Sequence, residues 1–263
     1  MVNAQPVARK PRRANPRGYL RRLRVILLAA FIIYACYYFS QSPFFSIQKV
    51  EVAGQKHLSA AEIIRVSGLG TGINIFQVNL DQAKKRLLAN PWIESAAIRR
   101  KLPRAIQITV KERQPSAILL ADQRWLVLDR NGVCIDSVNS LRLYNLPIIT
   151  GIKPDTTDPG KLVSANPLLQ PVLAALDLDV ENFFSEVNIS DGNNLVAYTR
   201  DSVPVLLGKC EDLHSKLVTA QSLMVNNSIS GAVVYVDLRS AQVPAVKYLE
   251  TGNQKNEKLL KGD

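Results

Sequence analysis

The sequence predicts an α+β protein with a single transmembrane helix, a β-α-α-β-β domain and then a mostly antiparallel β-domain with two helices. Three observations predict it. An uncharged apolar run follows a basic N-terminus. Residues 44–113 contain both helical and alternating apolar patterns. Residues 114–250 contain short alternating runs separated by turn residues. A chain of 263 residues with 47% hydrophobic composition can form two folded domains.

Positive charge is concentrated at the N-terminus. The formal net charge is +11, but the first 24 residues contain eight Arg or Lys residues and no Asp or Glu. The rest of the chain has 25 basic against 22 acidic residues and is close to neutral. The overall charge therefore indicates a basic tail and not a nucleic-acid-binding surface.

The apolar run VILLAAFIIYACYYF at residues 25–39 predicts a membrane helix. A helix over residues 25–42 would span about 27 Å, close to the thickness of a bilayer core. The aromatic residues at its far end suit the membrane interface, and Pro43 disfavours cleavage after the small residues Ser40 and Ser42. A cleaved signal peptide and a lipidated Cys36 are the alternatives that these residues leave open.

The distribution of basic residues predicts the orientation of this helix. By the positive-inside rule we expect residues 1–24 to be a cytoplasmic basic tail and residues 25–42 to be the retained transmembrane helix. Everything after Pro43 is then extracytoplasmic, which is periplasmic in a cell with an outer membrane.

Residues 44–113 predict a β-α-α-β-β domain. FFSIQKVEVAG at residues 44–54 alternates as a strand does, and Ser59 with Glu62 forms a capping box before a helix that ends at Gly68. A second helix begins near Asn79 or Asp81 and ends before Pro91.

Two further strands of this domain form a hairpin with a basic tip. We expect Trp92, Glu94, Ala96 and Ile98 to share one face of the first strand, and the second strand alternates strictly over residues 106–111. The tip carries Arg99, Arg100, Lys101 and Arg104. It is either a solvated turn or a cationic contact for an acidic partner or anionic lipid head groups. DNA binding is disfavoured because no aromatic residues are interleaved with the cations.

Residues 114–250 predict the β-domain. Strands are expected at residues 116–120, 124–128, 146–151, 187–190, 195–199, 203–207 and 232–238. Helices are expected near residues 165–176 and 211–225. The polar residues 251–263 are too weakly apolar to fold alone and predict a disordered tail.

No constellation of catalytic or metal-binding residues stands out. The glycine-rich stretch at residues 68–72 follows a helix instead of a strand, so it fits a helix-exit loop better than a nucleotide-binding motif. Cys134 and Cys210 either pair or are buried as small apolar residues, and no Cys or His grouping has the spacing of a zinc site. We therefore predict no catalytic site, no cofactor and no metal, and a protein that is not an enzyme.

A set of short stretches resembles a known family. The β-α-α-β-β unit after one membrane helix looks like a POTRA domain, and the longer pattern resembles the bacterial cell-division family FtsQ/DivIB. The resemblance is carried by residues 45–47, 52–54, 90–93, 102–103, 110–115, 125–132, 146–151 and 235–239.

The resemblance implies a non-enzymatic scaffold of the divisome in the bacterial inner membrane at the division septum. Such a scaffold links early and late division proteins. Its POTRA domain contacts other septal membrane proteins, and its β-domain binds FtsB- and FtsL-type partners. A POTRA-containing translocation or outer-membrane assembly component, and an envelope hydrolase, are the alternatives.

The resemblance also implies where the partner binds. In the family the last strand forms a sheet edge to which the partner adds a strand, and here that edge maps to residues 240–248. Pro244, and the lack of a Gly after Arg239, depart from the family pattern and leave the partner register open. The predicted partner-binding residues are Tyr235, Arg239, Ser240, Val243, Val246 and Tyr248.

Overall fold

The structure, a computed structural model, describes residues 16–141, 144–176, 180, 182–225, 233–240 and 243–249. Within these residues it contains two β-sheets, of three and nine strands, and five α-helices. The predicted disordered tail at residues 251–263 and the first 15 residues of the predicted cytoplasmic tail lie outside the described residues. The α+β class predicted from the sequence is confirmed.

Helix α1 (Pro16–Ser40) contains the apolar run. Its segment Arg21–Ser40 has a mean hydropathy of 1.9 and is the one helix among the described residues that is long and apolar enough to cross a membrane. The helix ends two residues before the predicted end because Ser42, which precedes Pro43, is extended at φ −61° and ψ 146°. The Ser42 hydroxyl then accepts a hydrogen bond from the Phe44 N–H and caps a short 3₁₀ turn, Pro43–Phe45.

The first domain has the predicted β-α-α-β-β order. Its elements are β1 (Lys49–Ala53), α2 (Ala60–Ser67), α3 (Leu80–Leu88), β2 (Ile93–Lys101) and β3 (Ala105–Glu112). The strand order in the sheet is β1-β3-β2, with β1 parallel and β2 antiparallel to the central strand β3. The helices and the sheet enclose one core, in which Ile63, Leu87, Ile106 and Ile108 are almost fully buried.

The helix caps in this domain are those that the sequence predicts. The Ser59 hydroxyl accepts a hydrogen bond from the Glu62 N–H at 3.2 Å, and Gly68 ends α2 in the left-handed region at φ +69°. The Asn79 side chain accepts from the Gln82 N–H at 2.9 Å and begins α3.

The hairpin strand β2 differs from its prediction at Glu94. The strand pairing shifts by one residue between Ile93 and Ser95, as it does at a β-bulge. Ile93 is therefore buried, whereas Glu94 is partly exposed and pairs with Lys111 at 2.9 Å. The prediction of one continuous face for Trp92, Glu94, Ala96 and Ile98 is therefore wrong at Glu94, because strict alternation cannot continue through a bulge.

The first strand is also shorter than predicted. The backbone of residues 45–47 pairs with the loop at residues 73–75: the Ile47 N–H donates to Ile73 and the Ile75 N–H to Phe45, both at 2.9 Å. Only from Lys49 does the chain pair with β3.

The second sheet has nine strands in the order β12-β11-β10-β9-β8-β7-β4-β5-β6. They are β4 (Pro115–Ala121), β5 (Arg124–Asp129), β6 (Cys134–Val138), β7 (Ile148–Thr150), β8 (Phe184–Asn188), β9 (Leu195–Thr199), β10 (Pro204–Gly208), β11 (Val233–Asp237) and β12 (Ala245–Tyr248). Parallel pairs join β4 to β7, β7 to β8 and β10 to β11, and the other five pairs are antiparallel. The mostly antiparallel sheet is therefore confirmed.

Two helices complete the second core, as predicted. Helix α4 (Leu169–Ala175) and helix α5 (Leu213–Val225) contribute buried Leu, Val and Ala side chains to the cluster that covers the sheet. Strand β6 has no counterpart among the predicted strands, because its residues CIDSV do not alternate clearly.

Candidate partner-binding edge

The candidate site is the end of the nine-stranded sheet formed by β11 and β12. Strand β12 is the terminal strand, and among the described residues it pairs only with β11. The two strands are antiparallel, with Val236 opposite Val246, Asp237 opposite Ala245 and Tyr235 opposite Lys247.

The two faces of β12 have different surroundings. Val246 packs against the hydrophobic core beside the fully buried Val236, and this contact holds the strand on the sheet. On the other face the Lys247 ammonium lies 5.7 Å from the centre of the Tyr235 ring, a cation–π contact. The strand is thus held on the sheet through contacts on both of its faces.

The exit from β11 is held by a forked ion pair. The Arg239 guanidinium donates to both carboxylate oxygens of Asp237, through Nη2 at 2.6 Å and through Nε at 3.0 and 3.1 Å. These hydrogen bonds lower the pKa of Asp237 and raise that of Arg239, so both groups stay charged at neutral pH. The fork holds Arg239 against the last residue of β11.

The outer side of β12 pairs with no other strand among the described residues. In an antiparallel pair, alternate residues of each strand point their N–H and C=O groups toward the neighbouring strand, and the others point away. Since β12 pairs with β11 alone in the described part of the chain, its other backbone groups face outward. Such an edge can accept an added strand, and each ladder bond contributes roughly 0.5 to 1.5 kcal/mol net.

The opposite edge of the same sheet is partly closed. The Cys134 N–H on β6 donates to the Lys161 carbonyl at 2.9 Å, and the Gly160 N–H donates to the Cys134 carbonyl at 2.7 Å. A bridge between Val133 and Leu162 continues this contact. A loop of the chain itself therefore occupies the start of the β6 edge, whereas no strand or isolated bridge pairs with the outer side of β12 among the described residues.

The structure brings together some of the six predicted partner-binding residues. Tyr235, Val246 and Tyr248 lie on the paired strands β11 and β12 and are partly buried. Arg239 and Ser240 are exposed in the turn after β11, where the Ser240 carbonyl accepts from the Val243 N–H at 3.3 Å. Val243 precedes β12, and 73% of its surface is exposed.

Sequence reasoning missed two residues of this site. Lys247 covers Tyr235, and Asp237 anchors Arg239. The alternation of Ala245 and Lys247 with Val246 and Tyr248 is the signal that predicts an outer face for Lys247. The two-residue spacing of Asp237 and Arg239 predicts no fork by itself, since the contact depends on how the chain leaves the strand.

A second concave surface lies where the two sheets meet. It is a cleft of about 1200 Å³ whose lining includes His57, Trp92, Glu112, Arg113 and Asp129. The His57 ring stacks on Trp92 at 3.8 Å, and the other three residues carry charges that are already engaged.

The carboxylates in this cleft have structural partners. Glu112 accepts hydrogen bonds from the backbone N–H groups of His57 and Leu58, at 2.7 and 3.0 Å. Asp129 forms a buried ion pair with Arg113 at 2.6 Å. Across the described residues no group of three or more His, Cys, Asp or Glu side chains could hold a metal ion. Hydrogen bonds and an ion pair within the fold occupy the carboxylates of this cleft, so the terminal strand β12 is the stronger candidate site.

Comparison with known families decides what kind of protein carries this edge. A family model described as "POTRA domain, FtsQ-type" matches residues 45–113, and one described as "Cell division protein FtsQ/DivIB, C-terminal" matches residues 117–239. The chain belongs to the FtsQ/DivIB family of cell division proteins. The POTRA resemblance that the sequence shows is thereby confirmed.

Several curated FtsQ/DivIB proteins align with most of the chain. It is 29% identical over 214 residues to "Cell division protein DivIB" of Clostridium tetani, which covers 79% of both chains. It is 33% identical over 162 residues to "Cell division protein FtsQ" of Koribacter versatilis, which covers 60% of this chain and 46% of that one. The solved extracytoplasmic domain of DivIB from Geobacillus stearothermophilus aligns with 46% of this chain and 99% of that one at 14% identity and a TM-score of 0.32.

The FtsQ/DivIB family match divides the candidate residues into two groups. Tyr235 and Arg239 lie within the matched residues 117–239, at the end of the match. Ser240, Val243, Val246 and Tyr248 lie beyond it, in the turn and the terminal strand. The match therefore reaches the strand to which β12 is paired.

Proposed function

We propose that this chain is a non-enzymatic scaffold of the divisome that binds FtsB- and FtsL-type proteins by adding a partner strand to β12. Helix α1 anchors it in the inner membrane with the N-terminus in the cytoplasm. The POTRA domain at residues 44–113 and the β-domain at residues 114–250 lie outside the cytoplasm at the septum. The POTRA domain contacts other septal membrane proteins, and the whole chain links early to late division proteins.

The observation that carries this proposal is the terminal strand β12, which pairs with β11 alone among the described residues, in a chain of the FtsQ/DivIB family. The strand has only four residues, so it presents few backbone groups and is a weak template for nonspecific pairing. Pro244 lies directly before it and limits extension of the strand toward Val243. A partner strand would extend the sheet and cover Val243 and the Lys247–Tyr235 contact.

Charge favours a partner with acidic side chains at this edge. Lys247 is exposed on β12, and the Arg239 side chain, which is ion-paired with Asp237, is 59% exposed after the end of β11. A partner strand with carboxylates opposite these cations gains electrostatic complementarity, which mainly sets specificity and the rate of association.

Proline substitutions on β12 test the proposal. Neighbouring residues of a strand point their N–H groups to opposite sides, and proline has no N–H. One of the variants Val246→Pro and Lys247→Pro therefore removes a donor that faces β11, and the other removes a donor that faces outward. Loss of the outward donor should weaken co-purification of the FtsB-type partner, by roughly two- to twelve-fold for each ladder bond lost. The domain should stay folded in that variant, as judged by circular dichroism and thermal unfolding.

The matched control is Val138→Pro, which places proline in the other edge strand, β6. This variant should bind the partner as the unaltered chain does. The proposal is contradicted if both β12 variants fold and retain full partner binding, or if the β6 variant alone loses it.

A further inference from the structure

The topology of the POTRA domain places the basic hairpin tip at the end of the sheet nearest α1. Strand β1 is parallel to β3 and β2 is antiparallel to it, so the start of β1, the end of β2 and the start of β3 meet at one end. There Lys49 and Lys101 both pair with Ala105. The chain enters β1 from α1 at this same end, with only eight residues between Ser40 and Lys49.

Direct contacts join the end of α1 to this end of the domain. The Asn74 side-chain amide donates to the Ser40 carbonyl at 2.8 Å, and the Gln77 amide donates to the Gln41 side chain at 2.7 Å. The Phe39 ring in α1 lies 5.3 Å from that of Phe45. The last turn of the apolar helix is therefore packed against the domain and not connected to it by a loose linker.

Large apolar side chains are exposed around this contact. Phe44, Ile73 and Phe76 are 45%, 44% and 46% exposed, and Leu102 at the hairpin tip is 60% exposed. The Phe45 ring lies within 5.1 Å of both the Phe44 and the Phe76 ring. We name Phe44, Ile73, Phe76 and Leu102, together with the cations of the hairpin tip, the membrane-proximal patch.

The cations of the patch lie against these apolar residues. The Arg104 guanidinium lies 4.8 Å from the centre of the Phe44 ring and donates to the Phe44 carbonyl at 2.9 Å. Arg100 donates to the carbonyls of Ile75 and Val78, both at 2.8 Å. Arg100 and Arg104 thus hold the segments that carry the exposed rings.

Positive charge dominates this end of the domain. Arg99, Lys101 and Lys49 are exposed, and the two lysines share one carboxylate, Glu51, at 2.8 and 2.9 Å. Their hydrogen bonds lower the pKa of Glu51 to about 2, so it stays charged and neutralises one of the five cations here. Exposed apolar rings mixed with excess cations are typical of surfaces that bind anionic membranes.

We propose that the membrane-proximal patch rests on the outer head-group layer of the bilayer that α1 crosses and binds anionic lipids there. The aromatic rings enter the interface region while Arg99, Lys101 and Arg104 contact lipid phosphates. The bilayer is favoured over an acidic protein because the patch continues directly from the end of the apolar helix. This inference rests on the proposed role of α1 as a retained membrane anchor.

Depth-dependent quenching on the full-length chain in vesicles tests this contact. An environment-sensitive fluorophore is attached to Leu102→Cys in a Cys36→Ala, Cys210→Ala background. Cys134 remains, because it is buried and burial, with the nearby Asp136, raises its thiol pKa to about 11. The vesicles contain phosphatidylcholine with or without phosphatidylglycerol and a lipid spin-labelled at its head group.

The matched control carries the same fluorophore at Lys111→Cys. Lys111 is exposed near the far end of β3, roughly 20 Å from Ala105 at the rise of a β-strand. The expected result is several-fold stronger quenching at position 102 than at position 111. The difference should grow with phosphatidylglycerol, and it should shrink at high salt or in the double variant Arg99→Gln, Lys101→Gln.

Each outcome bears on the inference. If the chain floats with the vesicles but quenching is equal at the two positions, the proposed contact of the patch with the bilayer is wrong. The role of α1 as a membrane anchor then still holds. A chain that does not float overturns the anchor and the patch together. Quenching at position 102 that ignores phosphatidylglycerol overturns the binding of anionic lipids. If the probe at position 102 is not quenched in vesicles but becomes inaccessible to water in whole cell envelopes, the surface binds an acidic protein instead of lipid.

Discussion

Glu112 shows how single residues in this chain serve the fold. The residue is 8% exposed, and its two carboxylate oxygens accept hydrogen bonds from the N–H groups of His57 and Leu58 just before α2. Burial opposes the charge, but the hydrogen bonds from the backbone around His57 outweigh it and lower the pKa of Glu112 below its ordinary value of 4.5. One carboxylate thereby ties the end of β3 to the start of the helical layer.

We predict that Glu112→Gln lowers the free energy of unfolding by roughly 1 to 3 kcal/mol at neutral pH, because one backbone donor then faces an amide N–H₂ group. A group whose pKa is lower in the folded state stabilises that state fully above its unfolded pKa. That stabilisation is lost as the pH falls through the folded pKa. The difference in stability between the two proteins should therefore begin to shrink below about pH 4.5 and vanish below the folded pKa of Glu112. Denaturant unfolding as a function of pH measures this.

The matched control for this prediction is Glu94→Gln on the neighbouring strand β2, next to Ile93, which is paired with Glu112. Glu94 forms an ion pair with Lys111, whose side chain is 69% exposed. Its loss should change stability by less than about 1 kcal/mol at any pH. If the Glu112→Gln variant is as stable as the unaltered chain at pH 7, the Glu112 carboxylate does not stabilise the fold in this way.

Local signals made some residue roles predictable and left others out of reach. Ser59 and Asn79 cap helices through hydrogen bonds to residues three positions away, so the sequence shows both partners together. Glu112 bonds to residues 55 and 54 positions earlier in the chain. No short pattern predicts such a pair, because the fold alone brings the two segments into contact.

At the scale of elements, Gly208 at the end of β10 provides the surface on which Arg239 packs, two residues after the end of β11 on the way to β12. Gly208 has φ +69°, and a Cβ atom there would lie 3.1 Å from the Arg239 Cγ. The Lys216 ammonium donates to the carbonyls of Leu207 and Lys209 on either side, at 2.8 and 3.0 Å. The end of β10 is thus held in the shape that lets Arg239 pack across it.

We predict that Gly208→Ala lowers the free energy of unfolding by about 1 to 2 kcal/mol, since an L-residue is strained in this conformation. The added methyl group should also push Arg239 away and weaken binding of the FtsB-type partner. Thermal unfolding and a binding assay measure the two effects. Gly192→Ala is the matched control: its Cβ would meet Leu168 at an ordinary 3.4 Å, so little change is expected. A Gly208→Ala protein with normal stability would contradict this account of the β10 end.

The sequence predicts regular elements better than irregular ones. The helices and most strands follow from apolar spacing and capping residues, and the basic hairpin tip lies where residues 101–104 place it. The bulge at Glu94 and the polar strand β6 break the alternation on which strand prediction depends. The order of nine strands is set by pairings such as β4 with β7, which join distant segments and leave no local signature.

At the scale of the whole molecule, β3 links the membrane end to the β-domain. The strand starts at the basic tip beside α1, and its far end leads through Arg113 and Gln114 to β4. There the buried ion pair between Arg113 and Asp129 joins the two domains, and the Arg113 N–H donates to the Trp92 carbonyl at 2.8 Å. The order along the molecule is therefore anchor, POTRA domain and then the sheet that ends in β12.

The central claim of this account is that β12 is the edge at which an FtsB-type division protein adds its strand. In dividing cells, a photo-crosslinking amino acid placed at Lys247 tests it most directly, with one at Asn139, exposed just after the opposite edge strand β6, as the matched position. The account predicts a crosslink to the FtsB-type protein from position 247 and none from position 139. Crosslinking to that partner from position 139 alone, or from neither position while the protein is present at the septum, would contradict it.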